Sequence, residues 1–178
     1  MKLHLGSGKR FIPGFKHIDI VEFPHVDIVS TIDSLPMIQD NSVDLIYNCH
    51  VAEHFNKKQV PLVLAEWYRI LKPGGILRTA VPDFEQLSKL YSSGKVTLDE
   101  IHGPVFGRQD ALYNFHWIAF DELKLTKFLQ DAKFSNIKRY DWRQTEHAHI
   151  DDYSQSYLCP AMDKVNGTLI SLNIEAVK

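Results

Sequence analysis

Cysteine, basic excess and long apolar runs are all scarce or missing in this 178-residue sequence. Its two cysteines, Cys49 and Cys159, lie far apart and outside any metal-ligand spacing, so neither a disulfide framework nor a zinc ribbon has support. The formal charge of -2 gives no electrostatic reason for a nucleic-acid partner. No stretch approaches the roughly 20 apolar residues of a membrane span, and no leader-like segment opens the chain. We therefore expect a cytoplasmic protein with reduced thiols and with neither nucleic acid nor a membrane as partner.

The composition that remains is ordinary for a globular protein, with 44% hydrophobic and 24% charged residues. A folded chain of this length hides about 70% of the surface that its unfolded form exposes, which is enough for one core. No internal repeat or low-complexity stretch divides the sequence. Residues 1–178 are therefore expected to form a single domain, and the sequence carries no indication of oligomeric state.

Short β-rich segments alternate with segments of helical periodicity, which predicts a Rossmann-like three-layer α/β/α fold around a mostly parallel sheet. The last two strands have no evident helix between them and can pair antiparallel at an edge. Residues 92–114 are expected to form a loop. The predicted strands are 2–5, 16–20, 26–32, 42–50, 76–82, 136–142 and 168–177, and the predicted helices are 56–71, 83–91 and 121–129.

The first predicted strand breaks into a glycine turn, "LHLGSG", which is typical of a backbone that passes close to a ligand. A dinucleotide site would need a third glycine, but Phe11 stands at that position. Only eight residues separate Gly8 from His17, which is too short for a complete crossover helix. A pyrophosphate site is thus poorly provided, and a nicotinamide-dependent oxidoreductase is disfavoured.

A nucleoside without phosphates needs only close backbone approach and hydrogen-bond acceptors. Asp19 follows the second strand, where an acidic side chain suits a ribose diol, and Asp33 follows the third, where it can accept from an adenine amine. Taken singly, an aspartate at a strand end is as consistent with a turn or a helix cap.

In this order and spacing the sequence resembles the class I S-adenosylmethionine-dependent methyltransferases, in particular the small methyltransferase-domain (type 11-like) family. The resemblance runs through "LHLGSG", "HIDI", "TIDSLPMIQDNSVDLIYNCHVAEHF" and "EWYRILKPGGILRTAVPDF". It implies S-adenosylmethionine as cofactor and a seven-stranded sheet with an antiparallel last strand. The sequence departs from the family at residues 9–16, where the first crossover is shortened. The resemblance places cofactor binding in residues 1–84 and the substrate side in 85–178, with a lid around 92–116 and 144–160.

Carried over position by position, the resemblance implies contacts for each part of the cofactor. The methionine part would contact the glycine turn and the end of the fourth strand. The ribose would contact Asp19, and the adenine would contact Asp33 and two isoleucines. Apart from the two aspartates these residues are Gly6, Ser7, Gly8, Ile20, Ile32, Asn48, Cys49 and His50. Without a ligand, the glycines would simply form a tight turn and the isoleucines would belong to the core.

Histidine is the natural proton acceptor near neutral pH, and the sequence has nine. His50, past the fourth strand, and His116, in the segment that covers the family's pocket, are the candidate catalytic residues. His54 belongs to the "EHF" signature, where packing or capping is the alternative role. The family resemblance implies no metal. His147 and His149 with nearby aspartates would be a partial ligand set, and a lid or a solvated turn is the alternative for that segment.

These features predict a methyltransferase that acts on a small molecule or glycan. Oxygen is slightly preferred over nitrogen as the methyl acceptor, because histidines crowd the expected pocket. The alternative is a non-catalytic methyltransferase-like module that binds a nucleoside or a protein partner, which the short segment 9–16 suggests.

Overall fold

Nine strands and four α-helices form the protein in a computed structural model that describes all 178 residues. The strands are β1 Lys2–Leu5, β2 Lys16–Asp19, β3 Ile28–Val29, β4 Val43–Cys49, β5 Leu71–Pro82, β6 Ser135–Arg139, β7 Tyr157–Leu158, β8 Thr168–Leu169 and β9 Ser171–Val177. The helices are α1 Val60–Ile70, α2 Phe84–Ser92, α3 Leu98–Phe106 and α4 Glu122–Asp131. None of these helices has the length and apolar character needed to cross a membrane.

Seven strands form one sheet in the order β3-β2-β1-β4-β5-β9-β6. The strands β1 to β5 pair in parallel, whereas β9 is antiparallel to both of its neighbours, β5 and β6. The predicted α/β fold with an antiparallel last strand is therefore confirmed. The final strand is inserted between β5 and β6, so β6 forms the edge. Strand β8, from the start of the predicted last strand, pairs instead with β7 in a separate two-stranded ribbon.

Alternation along the strands separates two unlike faces of the sheet. On one face, Leu3 and Leu5 of β1 join a large apolar core with residues of α1 and α4, including Trp67 and Leu129. On the other face a smaller apolar cluster centres on Leu45 and Tyr47. This second face is covered by residues 9–15 and by the segment from 140 to 156, which contains two short 3-10 helices.

The first crossover contains no helix, as the spacing predicts. Ile12 and Phe15 of this segment pack into the cluster on the second face. The backbone N–H of Ile12 donates to Nε2 of buried His17, 2.9 Å away. The segment is thus anchored by apolar contacts and a side-chain bond in place of helical packing.

The helices α2, α3 and α4 begin at local capping residues, and a helix also forms where a loop was predicted at residues 92–114. Asp83 accepts hydrogen bonds from two N–H groups at the start of α2, and Asp121 does the same for Lys124 in α4. The expected loop at 92–114 contains α3, whose first turn is closed by a capping box between Thr97 and Glu100. The T-x-x-E spacing of Thr97 and Glu100 is a local signal for this helix start, and Pro104 lies inside the helix.

Candidate functional site

A cavity of about 400 Å³ opens where β1, β2 and β4 end at their carboxyl edge. This is the edge at which open α/β sheets bind ligands. Seven of the residues predicted for the site line it, namely Gly6, Gly8, Asp19, Ile20, Ile32, Asp33 and His50. The other lining residues are Val21, Phe23, Thr31, Val51, His54, Phe55, Tyr113 and Asn114.

The glycine turn brings backbone to the cavity wall. Gly6 has a φ of 66° and donates its N–H to the carbonyl of Ile18, 2.8 Å away. A Cβ at Gly6 would lie 2.5 Å from Cγ2 of Val51, closer than real Cβ atoms approach a neighbour. Gly8 also has positive φ, at 54°, but a Cβ there would meet nothing within 4 Å. Of these two glycines, Gly6 alone combines a conformational with a steric requirement.

Asp19 lines the cavity and also builds the turn. Its carboxylate accepts the backbone N–H of Gly8 at Oδ2 and that of Val21 at Oδ1, both at 2.8 Å. The side chain is buried. An ionised carboxylate has about four lone-pair sites, so two remain for a ligand hydroxyl. Asp19 thus holds β1 and β2 together at the cavity whether or not a ligand is bound.

Asp33 also lines the cavity and is exposed, in the segment that follows β3. Its neighbour Ile32 is buried, and the Ile32 carbonyl accepts from the indole N–H of Trp67 in α1 at 2.9 Å. Ile20 is 45% exposed and presents apolar surface to the cavity. A free carboxylate beside two apolar side chains is an environment that suits an aromatic ring bearing an amine.

Four predicted residues do not line the cavity. Ser7 is buried with no partner for its Oγ, and Asn48 is fully buried and accepts from the Thr79 hydroxyl at 2.6 Å. Cys49 packs beside the cluster on the second face, where burial raises the pKa of its thiol. His116 lies behind the cavity. Asn48 and Cys49 are adjacent in β4 and point to opposite faces of the sheet, and this alternation directs Cys49 to the second face.

Several lining residues escaped the sequence prediction. Val21, Thr31 and Val51 are direct neighbours of predicted residues, so the strand ends themselves were the available signal. Tyr113 and Asn114 come from the segment after α3 and reach the cavity only through long-range folding. No local pattern marks them.

His50 has a strained backbone and a half-buried side chain, 12% of which is exposed. It has a φ of 53°, its N–H donates to the Ala80 carbonyl, and its Nε2 lies 3.1 Å from the Ser171 hydroxyl. Its Nδ1 lies 3.6 Å from Oε1 of Glu53. Burial lowers the pKa of His50 to about 3. The imidazole is therefore neutral at physiological pH and is a weak proton acceptor.

Glu53, His54 and His116 lie close together next to His50, and the sequence did not predict that they would meet. Glu53 is 1% exposed, and neither of its carboxyl oxygens has a hydrogen-bond partner. Nε2 of His116 lies 3.9 Å from Oε1 of Glu53, and the rings of His54 and His116 are 4.9 Å apart. Burial raises the pKa of Glu53 to about 8 and lowers that of His116 to about 4.

The segment 144–160 covers the second face of the sheet and supplies no residue to the cavity wall. The ring of buried His147 lies 4.1 Å from the ring of Tyr47, and Asp152 accepts from the Tyr47 hydroxyl. His149 is exposed. The alternating histidines thus belong to different environments, and the partial ligand set considered for this segment does not assemble.

Comparison with known proteins gives the class of this fold. A SAM-dependent methyltransferase of Thermotoga maritima, described as a possible histamine N-methyltransferase, superposes with a TM-score of 0.58 at 18% identity over 99% of this chain and 81% of its own. A SAM-dependent methyltransferase of Archaeoglobus fulgidus gives 0.60 at 16% identity, over 99% and 85%. The chain therefore shares the fold of these solved SAM-dependent methyltransferases, which agrees with the fold that the sequence resemblance implies.

The family match agrees with that class. Residues 15–79, less than half of the chain, match the family model described as "Methyltransferase domain". The 1,6-didemethyltoxoflavin-N1-methyltransferase of Burkholderia thailandensis, solved with S-adenosylhomocysteine, is also similar, with a TM-score of 0.56 and 14% identity over 99% of this chain and 70% of its own. No curated protein matches the sequence.

Proposed function

We propose that this protein is an S-adenosylmethionine-dependent methyltransferase acting on a small molecule or glycan. The observation that carries the proposal is the cavity at the ends of β1, β2 and β4, which is lined by the glycine turn and by the Asp33 carboxylate. The fold neighbours bind or are named for this cofactor, which supports the same assignment. A cavity of this kind suits an uncharged nucleoside better than a diphosphate.

In the proposed complex the parts of the cofactor meet different residues. Gly6 and Gly8 let the backbone approach the methionine part, while Asp33 accepts from the adenine amine. Asp19 offers its remaining lone pairs to the ribose hydroxyls. Transfer is an in-line displacement in which the acceptor's lone pair forms a bond to the methyl carbon and the S–C bond breaks, so positioning is the main catalytic task.

The acceptor atom is proposed to be oxygen rather than nitrogen, since His50 and His54 both line the cavity. A hydroxyl must lose its proton, and a histidine is the expected acceptor. His50 is the better candidate, because His116 lies behind the wall. The low pKa of His50 makes it a weak base, so removal of the proton calls for further help at this site.

The cofactor assignment is tested by binding of S-adenosylhomocysteine. We expect the ligand to raise the melting temperature of the wild type, because a ligand that binds only the folded state stabilises it. Asp33→Asn removes a charged acceptor on the rim and is expected to weaken binding by about tenfold or more in calorimetry. The matched control is Glu22→Gln, an exposed acid close in sequence that does not line the cavity. Equal affinity in the wild type and Asp33→Asn would contradict the proposed adenine contact.

A second candidate function is a non-catalytic module that binds a nucleoside or a protein partner. The helix-free first crossover and the weak bases near the cavity favour it. Tight S-adenosylhomocysteine binding without methyl transfer to a broad panel of hydroxyl and amine acceptors would support this candidate.

Both cysteines are free thiols, which accords with the proposed cytoplasmic location.

A further inference from the structure

The buried carboxyl of Glu53 has no partner within the protein. Both oxygens are shielded from solvent and neither accepts or donates a hydrogen bond. A buried polar group left unsatisfied costs about 1 to 3 kcal/mol, and more when it is charged. The residue is nevertheless held firmly, because its carbonyl accepts the Trp117 N–H at 2.8 Å. Some ligand that satisfies the carboxyl would remove this cost.

Two histidines place ring nitrogens close to the Glu53 carboxyl. Nδ1 of His54 bonds to the carbonyl of Phe115, and Nδ1 of His116 bonds to that of Pro104, each at 3.0 Å. A carbonyl only accepts, so in each ring Nδ1 carries the proton and Nε2 keeps its lone pair. Metal-binding histidines are commonly oriented in this way, by a second ring nitrogen that donates to a carbonyl.

The ligand atoms are close enough for one ion. One donor atom from each of Glu53, His54 and His116 lies within 4.8 Å of the other two. A tetrahedral ion with bonds of about 2.1 Å spaces its ligands by about 3.4 Å, so closing on an ion requires movements of about 1 Å. Nδ1 of His50 lies 3.6 Å from the same carboxylate and is not one of the three.

We propose that Glu53, His54 and His116 form a binding site for one divalent metal ion of the Zn²⁺, Mn²⁺ or Fe²⁺ type, adjoining the cavity. Two neutral imidazoles and one carboxylate are the ligand types that such ions accept. The ion would be the positively charged partner that the buried Glu53 carboxylate does not have within the protein. This constellation is separate from the histidines at 147 and 149.

The site also has a defined relation to the proposed methyl transfer, and this part of the inference rests on the proposed function. His54 lines the cavity, so an ion held by three protein ligands has coordination positions open toward it. A hydroxyl oxygen bound there would lose its proton more easily, as metal-bound water does. The ion would thereby favour hydroxyl acceptors.

Metal binding can be measured without any substrate. Protein freed of metal by a chelator is titrated with Zn²⁺ in a calorimeter and with Co²⁺ in a spectrophotometer. The expected result is one ion per chain, visible Co²⁺ absorption and a metal-dependent rise in melting temperature. Glu53→Gln and His116→Gln should each weaken binding by about tenfold or more. His149→Gln, which changes an exposed histidine, should leave binding unchanged.

The variants also report on folding. Without metal, Glu53→Gln should melt at or above the wild-type temperature, because it replaces a buried group that can ionise with a neutral amide of similar size. The inference is overturned if no ion binds saturably, or if both ligand variants bind as the wild type does. S-adenosylhomocysteine affinity is measured on the same samples. Metal binding without cofactor binding would remove the proposed function and keep the site, and the reverse outcome would remove only the site.

Discussion

At the scale of single residues, the two cavity glycines share a conformation but differ in their surroundings. Gly6→Ala places a methyl group 2.5 Å from Val51 at a φ of 66°. We expect it to lower the free energy of unfolding by about 2 to 4 kcal/mol, from backbone strain and overpacking together. Gly8→Ala meets open space at a similar φ, so it should cost only about 1 to 2 kcal/mol. Urea denaturation of both variants measures the difference, and equal losses would show that Val51 moves away freely.

Asp19 shows which part of a site role a sequence can predict. Its place after β2 predicts a cavity position, and the structure puts it there. Its bonds to Gly8 and Val21 could not be foreseen, because they depend on how the shortened crossover folds back. Replacement of Asp19 therefore changes both the turn and any ribose contact. Asp33 makes no such internal bonds, and this is why it is the cleaner test of ligand binding.

At the scale of elements, α1 fixes the segment that carries Asp33. Arg69 donates to the carbonyls of Leu35 and Ile38, and Glu66 accepts the N–H of Leu35 at 2.6 Å while pairing with Arg69. These bonds tie residues 35–38 to the helix. The planar guanidinium of Arg69 is needed because it donates several of these bonds at once.

Arg69→Lys is expected to lower the free energy of unfolding by about 1 to 3 kcal/mol, because it keeps the charge but leaves carbonyl acceptors unpaired. It should also weaken S-adenosylhomocysteine binding, since the rim that carries Asp33 loosens. Lys58→Arg, an exposed change near the start of the same helix, is the control. Urea denaturation and calorimetry measure the two effects. Unchanged stability would mean that the bonds of Arg69 to the Leu35 and Ile38 carbonyls do not contribute to the free energy of unfolding.

Elements with a clear period or cap were predictable, and those fixed by distant partners were not. The apolar stripe of α1 and the caps of α2 and α4 are local signals, and each helix formed. The order of the last strands is a long-range property, since β9 enters the sheet between β5 and β6. The meeting of Glu53 with His116 has the same character. Sequence spacing gave no reason to join them.

At the scale of the whole molecule, the second face of the sheet is stabilised by neutral histidines in place of an apolar helix interface. His4 on β1 is 2% exposed and packs against the rings of His17 and Tyr47. Burial, with the nearby histidines and Arg10, lowers the pKa of His4 to about 3. Burial likewise lowers that of His147 to about 4. Both rings therefore favour the folded state only while they are uncharged.

This arrangement predicts a loss of stability in mild acid. The unfolded chain binds a proton at each of these histidines near pH 6.5, whereas the folded protein does not until the pH is much lower. Stability is therefore complete above about pH 6.5 and falls as the pH drops toward the folded-state values. Between about pH 7.5 and 5.5, His4 alone should contribute a loss of about 1.4 kcal/mol.

The contribution of His4 is isolated by comparing how the free energy of unfolding changes with pH in each variant, rather than its absolute value. His4→Leu removes the titrating group, so urea denaturation at about pH 7.5 and 5.5 should show a loss smaller than that of the wild type by about 1.4 kcal/mol, whatever the packing cost of the change. His149→Gln, at an exposed position, should retain the wild-type slope. If His4→Leu and the wild type lose stability in parallel, His4 titrates alike in both states. The second face would then owe its acid sensitivity to other groups.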